Sequence, residues 1–297
     1  MAIKKHFAFD PVYTLQYTNN VMNTLRAIVN LSECKNFDLD ETKEYVSNVV
    51  ASQGKPLEKF VIASFCGIPG TAGDNRSSEE VFCYEGAVNN PPDAMLKEEG
   101  DAIEVKKVEG VSTIHLNSSL PKQRLYADDK TITKKAVECE EWKSRDMLYV
   151  IGRVTKNTIH SLFFFYGDCI FKGNEYYKDI FELVKNSLKE IEKIRQTGNE
   201  YGTIKDVDGL GINTDMRVRP LNSFDHPLKV FSEIVQHDKN AGFSLFTIMR
   251  SSKFKSFPIE SQKLVLNSGL EHKNEHIRDP DNAGKKIAVE IFSFTSS

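Results

Sequence analysis

Apolar residues recur along this chain with two periods, and the switches between them separate helical from extended stretches. In "NEYYKDIFELVKNSLKEIEKIRQTG", Ile180, Val184, Leu188, Ile191 and Ile194 return at helical spacing. That predicts one long amphipathic helix, with Gly198 placed to stop it. "DPVYTLQYTNNVMNTLRAIVN" predicts another, opened by Asp10 and Pro11, with Leu15, Met22, Leu25 and Val29 on one face. Further helices are predicted after Asp40 and over "KPLEKFVIASFC". From Gly67 to Arg76 the Gly, Pro, Asn and Asp content reads as a loop.

The other segments read as strands. "EEVFCYEG" and "DAIEVKKV" are short β-rich runs separated by an Asn-Asn-Pro-Pro turn. "MLYVIGRV" and "IHSLFFFYGD" are apolar on both faces, which places them at the centre of a sheet and puts Phe163, Phe164 and Phe165 in its core. "GINTDMRVRPL", "FSLFTIM" and "KKIAVEIFSF" are strand candidates in the last hundred residues. Strands followed by a packing helix predict an α/β core. The pair His272 and His276 in "EHKNEHIRD" has helical spacing and reads as a solvated helix face. Arg250, Lys253 and Lys255 in "MRSSKFKSF" read as surface charge.

The bulk numbers narrow the class. A chain of 297 residues, 40% hydrophobic and 27% charged, is long enough for a substantial core. Its formal net charge of −3 argues against non-specific coating of nucleic acid, and leaves a local basic cleft as the way to bind it. Five scattered cysteines without CxxC spacing predict reduced thiols in a cytoplasmic protein. No apolar run follows the first lysines, so no signal peptide is expected, and the longest apolar stretch is too short to span a bilayer.

Chemistry concentrates in "NNPPDAMLKEEGDAIEVKKVEG". Side chains alternate along a strand, so Glu104 and Lys106 share one face while Val105 points into the other layer. A hairpin through "AMLKEEG" brings Asp93 beside them. Two hard oxygen ligands suit Mg2+, which takes one or two protein carboxylates together with waters and phosphate oxygens. A neighbouring lysine offsets charge in a transition state, and the set suits hydrolysis of a phosphodiester. The bland alternative is an exposed hairpin with a surface Glu–Lys pair. Asp101 reads as a turn residue, and Lys107 as a strand neighbour facing away.

Several ordered blocks surround this motif: "KPLEKFV" before it, then "LNSSLPKQRLYADD", "CEEWKSRDMLYVIGRV", "FFFYGDC" and "DVDGLGINTDMRVRPL". Together with the motif they resemble type II restriction endonucleases of the PD-(D/E)XK superfamily, and within it the NgoPII-type family. The resemblance covers roughly residues 50 to 235. It implies a mixed β-sheet flanked by helices with a helical N-terminal region, all in a single endonuclease domain, 1–297. Residues 1–50 would be the helical region, 50–200 the catalytic core, and 200–297 the DNA-recognition and C-terminal region. Asp93 and Glu104 would be the metal-binding carboxylates, Lys106 the catalytic lysine, and Glu58 the helix glutamate that many members carry nearby.

The resemblance also implies a substrate and partners. These are double-stranded DNA cut at a short G/C-rich, GGCC-like palindrome to give 5′-phosphate ends, Mg2+ as cofactor, and a homodimer matching the palindrome. A cognate methyltransferase and a prokaryotic cytoplasmic setting complete the set. Asn117, Ser118, Ser119, Lys122 and Arg124 follow the catalytic strand and suit phosphate clamping. Arg217 and Arg219 stand at strand spacing, so both project from one face, and arginine to guanine is the commonest specific major-groove contact. Two other readings keep parts of the pattern: a structure-directed repair or junction nuclease on the same fold, and a DNA-binding protein that does not cut.

Overall fold

The computed structural model describes residues 22–39, 55–71, 76–86, 91–197, 200–211, 214–238 and 240–296. Helix α1 (Thr24–Glu33) starts behind Asn23, whose side-chain oxygen accepts from the Leu25 and Arg26 N–H groups. Met22 therefore precedes the cap. The expected Asp10–Pro11 start, Leu15, the helix after Asp40, and Gly198 lie outside the described residues. Helix α2 (Lys55–Cys66) matches its predicted span. A short helix, α3 (Ser78–Val81), leads into the first strand.

The strands come in four groups along the chain. The first is β1 (Phe82–Glu85), β2 (Ala94–Leu96), β3 (Ala102–Val108), β4 (Ile114–Asn117) and β5 (Arg124–Tyr126). A short helix, α4 (Lys134–Val137), precedes the central hairpin, β6 (Ser144–Thr155) and β7 (Thr158–Tyr166). Helix α5 (Asn174–Ser187) then leads to β8 (Ile194–Thr197), β9 (Glu200–Ile204), β10 (Met216–Val218) and β11 (Asn222–Phe224). After α6 (Pro227–Val230) come β12 (Phe243–Arg250), α7 (Ser251–Ser256), α8 (Ile259–Leu266), β13 (Glu271–Asp279) and β14 (Asn282–Ser296).

Nine of these strands make one sheet in the order β1-β2-β3-β6-β7-β12-β14-β13, with β5 added on β6. The β3–β6 and β7–β12 pairs are parallel and the others antiparallel, so the sheet is mixed, as expected. Its centre is apolar on both faces: Phe163, Phe164 and Phe165 are all at most 1% exposed. Tyr149, Phe165, Phe171 and Phe224 stack edge and face on one side. On the other side Leu57 of α2 packs over Gly152, where an added Cβ would meet the leucine at 2.6 Å. The missing side chain lets α2 lie close to the sheet. Glu58 is the next residue along that helix.

Four expectations give way. The long helix ends at Ser187 and passes through a 3-10 turn, because Ile194 is drawn into β8, where it pairs with Ile204. "EHKNEHIRD" is the strand β13 rather than a helix, and His272 stacks on Phe292 at 4.7 Å. Lys253 is no surface charge: it is 1% exposed and bonds Asp101 and Asp146, each at 2.6 Å. Asp101 is accordingly a buried acid that also accepts from Tyr166 at 2.6 Å. The five cysteines are free, with the Cys83 and Cys139 sulfurs in contact at 2.6 Å. Among the described residues no helix is long and apolar enough to cross a membrane.

The turn between β2 and β3 is braced from outside the hairpin. Glu98 and Glu99 both adopt positive φ, and their N–H groups donate to the Glu140 carboxylate at 3.1 and 2.6 Å. Arg145, 1% exposed, donates to the Leu96 and Gly100 carbonyls at 2.5 and 2.6 Å and also pairs with Glu140. Removing the guanidinium takes a donor from both carbonyls and the counter-charge from the carboxylate. Arg145→Ala is expected to lower stability by about 3–5 kcal/mol, the usual cost of breaking a buried pair from one side, as measured by urea denaturation.

Candidate active site

Asp93 enters β2 immediately after Pro92, and its backbone is held on both sides. Its N–H donates to the Ile103 carbonyl at 2.9 Å, and its own carbonyl accepts from Gly86 at 2.6 Å. Gly86 needs to be glycine here, since a Cβ would stand 2.6 Å from the Pro92 carbonyl oxygen. The Asp93 Oδ2 atom accepts from the Val105 N–H at 2.7 Å, a bond across the hairpin. The aspartate thus reaches the strand between Glu104 and Lys106.

The alternation argument holds in space. In β3, Glu104 pairs with Tyr149 and Lys106 with Ile151, on the sheet face opposite α2, while Val105 faces α2's layer. Lys106 Nζ donates to Glu104 Oε1 at 2.5 Å. Glu104 is 6% exposed, and its Oε2 atom is buried without a hydrogen-bond partner. An orphaned carboxylate oxygen aimed into an acidic site is costly unless something cationic meets it. Lys107 is exposed, as a strand neighbour facing away should be.

The charges act on one another. Burial, and then the neighbouring Glu104 carboxylate, push Asp93 well above the usual carboxylate range, against the pull of Lys106. Burial works against the Lys106 charge, but Glu104 and Asp93 outweigh it and hold the ammonium above its ordinary range. Glu58, in the first turn of α2, lies near enough for its charge to act on both. The structure therefore assembles Asp93, Glu104 and Lys106 and keeps Glu58 within electrostatic reach.

Among the described residues no three His, Cys, Asp or Glu side chains form a metal cage. Two carboxylates fit a different kind of site, one completed by waters and a ligand's oxygens. The hard oxygen donors, the orphaned Glu104 oxygen and the raised Asp93 all fit a divalent cation of the Mg2+ type.

An open cleft of about 490 Å3 runs from Lys106 past Lys107, Ser112 and Thr113 to His115. Asn117, at the end of β4, takes positive φ, and Ser118 follows it. β11 pairs with β4, and Asn222 donates to the Asn117 and Ser119 carbonyls at 3.4 and 3.1 Å. Arg219 donates to Ser118 Oγ at 2.9 Å, so the arginine strand and the post-catalytic loop meet. Arg217 and Arg219 share a face, since both pair with Glu200. Lys122 and Arg124 are turned inward. Lys122 is 6% exposed and paired with Asp129 at 2.5 Å, and Arg124 pairs with Asp146 at 3.1 Å. Sequence reasoning missed Glu200, because a lone acid in "TGNEYGT" carries no local signal.

The family model for NgoPII restriction endonuclease matches residues 22–281. The chain is 33% identical over 280 residues to the type II restriction enzyme NgoPII of Neisseria gonorrhoeae, covering 92% of this chain and 99% of that protein. No solved structure matches.

Asp93 links stability to acidity. A carboxyl whose folded pKa is raised contributes stability that is present at low pH and lost as pH rises towards the folded value. Asp93→Asn removes that loss. The metal-free variant is expected to melt at a higher temperature than the wild type at pH 8, with the gap closing towards pH 4, while DNA cleavage falls by at least about a hundredfold. Calorimetry across pH, beside a cleavage assay, checks both.

With its match extending over most of the sequence, the chain belongs to the NgoPII restriction endonuclease family and is a site-specific endonuclease.

Proposed function

We propose that this protein is a PD-(D/E)XK-type enzyme of one endonuclease domain, which hydrolyses double-stranded DNA at a short G/C-rich, GGCC-like palindrome with Mg2+ as cofactor. The observation that carries this reading is the meeting of Asp93, Glu104 and Lys106 at one hairpin, with one Glu104 oxygen left unmatched. The NgoPII relative is named as a type II restriction enzyme, in keeping with such a substrate.

Asp93 and Glu104 would hold the cation. When bound, Mg2+ supplies positive charge against phosphate oxygens and lowers the pKa of a water it carries. The protein's own groups do the rest. Lys106, kept cationic by its two acidic neighbours, places a fixed charge where negative charge grows on the scissile phosphate. In the metal-free protein its raised pKa keeps it a cationic hydrogen-bond donor at neutral pH. Glu58 adds negative charge that favours cation binding. Cleavage leaving a 5′-phosphate and a 3′-hydroxyl follows from attack on phosphorus with loss of the 3′ oxygen.

Asn117, Ser118 and Ser119 would position the DNA backbone and Arg217 and Arg219 would read guanine edges, a reading supported by the Arg219–Ser118 contact. Lys122 and Arg124 spend their charges within the fold and are better read as supports for this loop. A palindromic target implies a two-fold homodimer, one active site per strand. A restriction enzyme also implies a protecting methyltransferase and a cytoplasmic setting in a prokaryote.

Digestion of a long unmethylated DNA with Mg2+ tests the reading, run beside EDTA and beside Lys106→Ala. The expected result is discrete fragments that vanish in both controls, with ends that sequence to one short palindrome. A smear would point to a structure-directed or non-specific nuclease. Persistent cutting by Lys106→Ala would remove the lysine from the site.

A further inference from the structure

Glu200 opens β9, and two arginines from the neighbouring strand region converge on it. Arg217, in β10 opposite Thr203, turns its Nε and Nη2 edge onto the carboxylate, Nε at 3.1 Å. Arg219 reaches the same carboxylate with Nε at 3.2 Å and places Nε and Nη2 on Ser118 Oγ at 3.2 and 2.9 Å. The carboxylate side chain is only 12% exposed, whereas the arginine side chains are 59% and 43% exposed. One sheltered acid thus carries two outward-facing cations, and one positive charge is left over. Each guanidinium commits its Nε–Nη2 edge to the protein.

We propose that Glu200 is a positioning and specificity-determining residue that holds Arg217 and Arg219 as one rigid fork. The proposal rests on the reading of these arginines as base contacts. Long arginine side chains lose rotamer freedom when they bind, and that loss falls on every DNA alike. Fixed in advance, the fork meets a guanine pair at correct spacing without that cost and fails to adapt to a wrong base. The carboxylate also cancels half of the fork's charge, which lowers affinity for any phosphate backbone. Both effects favour the right site over the rest. Through Ser118 the fork is tied to the loop after β4.

The test uses the duplex mapped by the digestion experiment and the same duplex with one base pair altered. Binding is followed by fluorescence anisotropy in EDTA over a salt series, and cleavage in Mg2+ gives kcat and KM separately. The proteins are wild type, Glu200→Gln, Glu200→Ala and the Arg217→Ala/Arg219→Ala double variant. Glu200→Gln keeps the shape of the side chain, so it reads the charge effect even where Glu200→Ala does not fold. For Glu200→Gln the altered duplex is expected to bind several-fold tighter. The ratio of mapped-site to altered-site affinity is expected to fall by about tenfold, with a log–log salt slope steeper by about one. The change should sit in KM rather than kcat. The double variant should lose at least about tenfold in affinity for the mapped duplex.

A carboxylate that only stabilises the β8–β10 sheet would not tighten binding to wrong DNA. Wild-type discrimination and salt slope in Glu200→Gln, together with weakened binding by the double variant, would overturn the role of Glu200 and leave the arginine reading intact. Wild-type binding by the double variant would overturn the arginine reading, and the fork with it.

Discussion

The register of β2 against β3 decides whether Asp93, Glu104 and Lys106 meet. Two bonds define it: Asp93 N–H to the Ile103 carbonyl, and Val105 N–H to the Asp93 carboxylate. A slip of one residue would turn Glu104 and Lys106 into the layer under α2 and leave Asp93 facing Val105 alone. Much of the surrounding structure keeps that register. Gly86 allows the chain to close over Pro92 and Asp93, Glu140 and Arg145 fasten the turn, and Asp101 pins the start of β3 to Lys253.

These supports come from three distant parts of the chain, and they are polar. Lys253 bridges Asp101 and Asp146 beneath Tyr166, and Tyr166 bonds both Asp101 and Thr24 of α1. A buried ammonium between two carboxylates contributes little net stability compared with apolar packing. What it gives here is placement: β3, β6, β7, α1 and α7 share one charge-matched junction. The site itself is the opposite case. Its acids are close together and incompletely matched, and the burial that pushes up the Asp93 pKa is a local cost that the rest of the fold absorbs.

Much of the active hairpin was legible because its evidence is local. Alternation alone puts Glu104 and Lys106 on one face, and a proline before an aspartate marks the turn that delivers Asp93. The central strands and α2 were legible from unbroken apolar runs and helical spacing. Long-range pairing was not. Nothing near Lys253 shows that its partners sit at positions 101 and 146, so it read as surface charge. Lys122 likewise looked free until Asp129 folded back on it. The Ile191–Ile194 stretch has helical periodicity, but cross-strand pairing with Ile204 claims it for a sheet. Arg217 and Arg219 were placed on one face by spacing, while the acid that joins them came from a different strand.

The proposed function requires the Asp93 and Glu104 carboxylates to share one divalent cation. Crystals soaked in Mn2+ and measured at the manganese absorption edge test it directly. The expected result is an anomalous peak within bonding distance of both carboxylates, abolished in Asp93→Asn. A map with no peak there at saturating Mn2+, or a peak ligated by other residues, would contradict it.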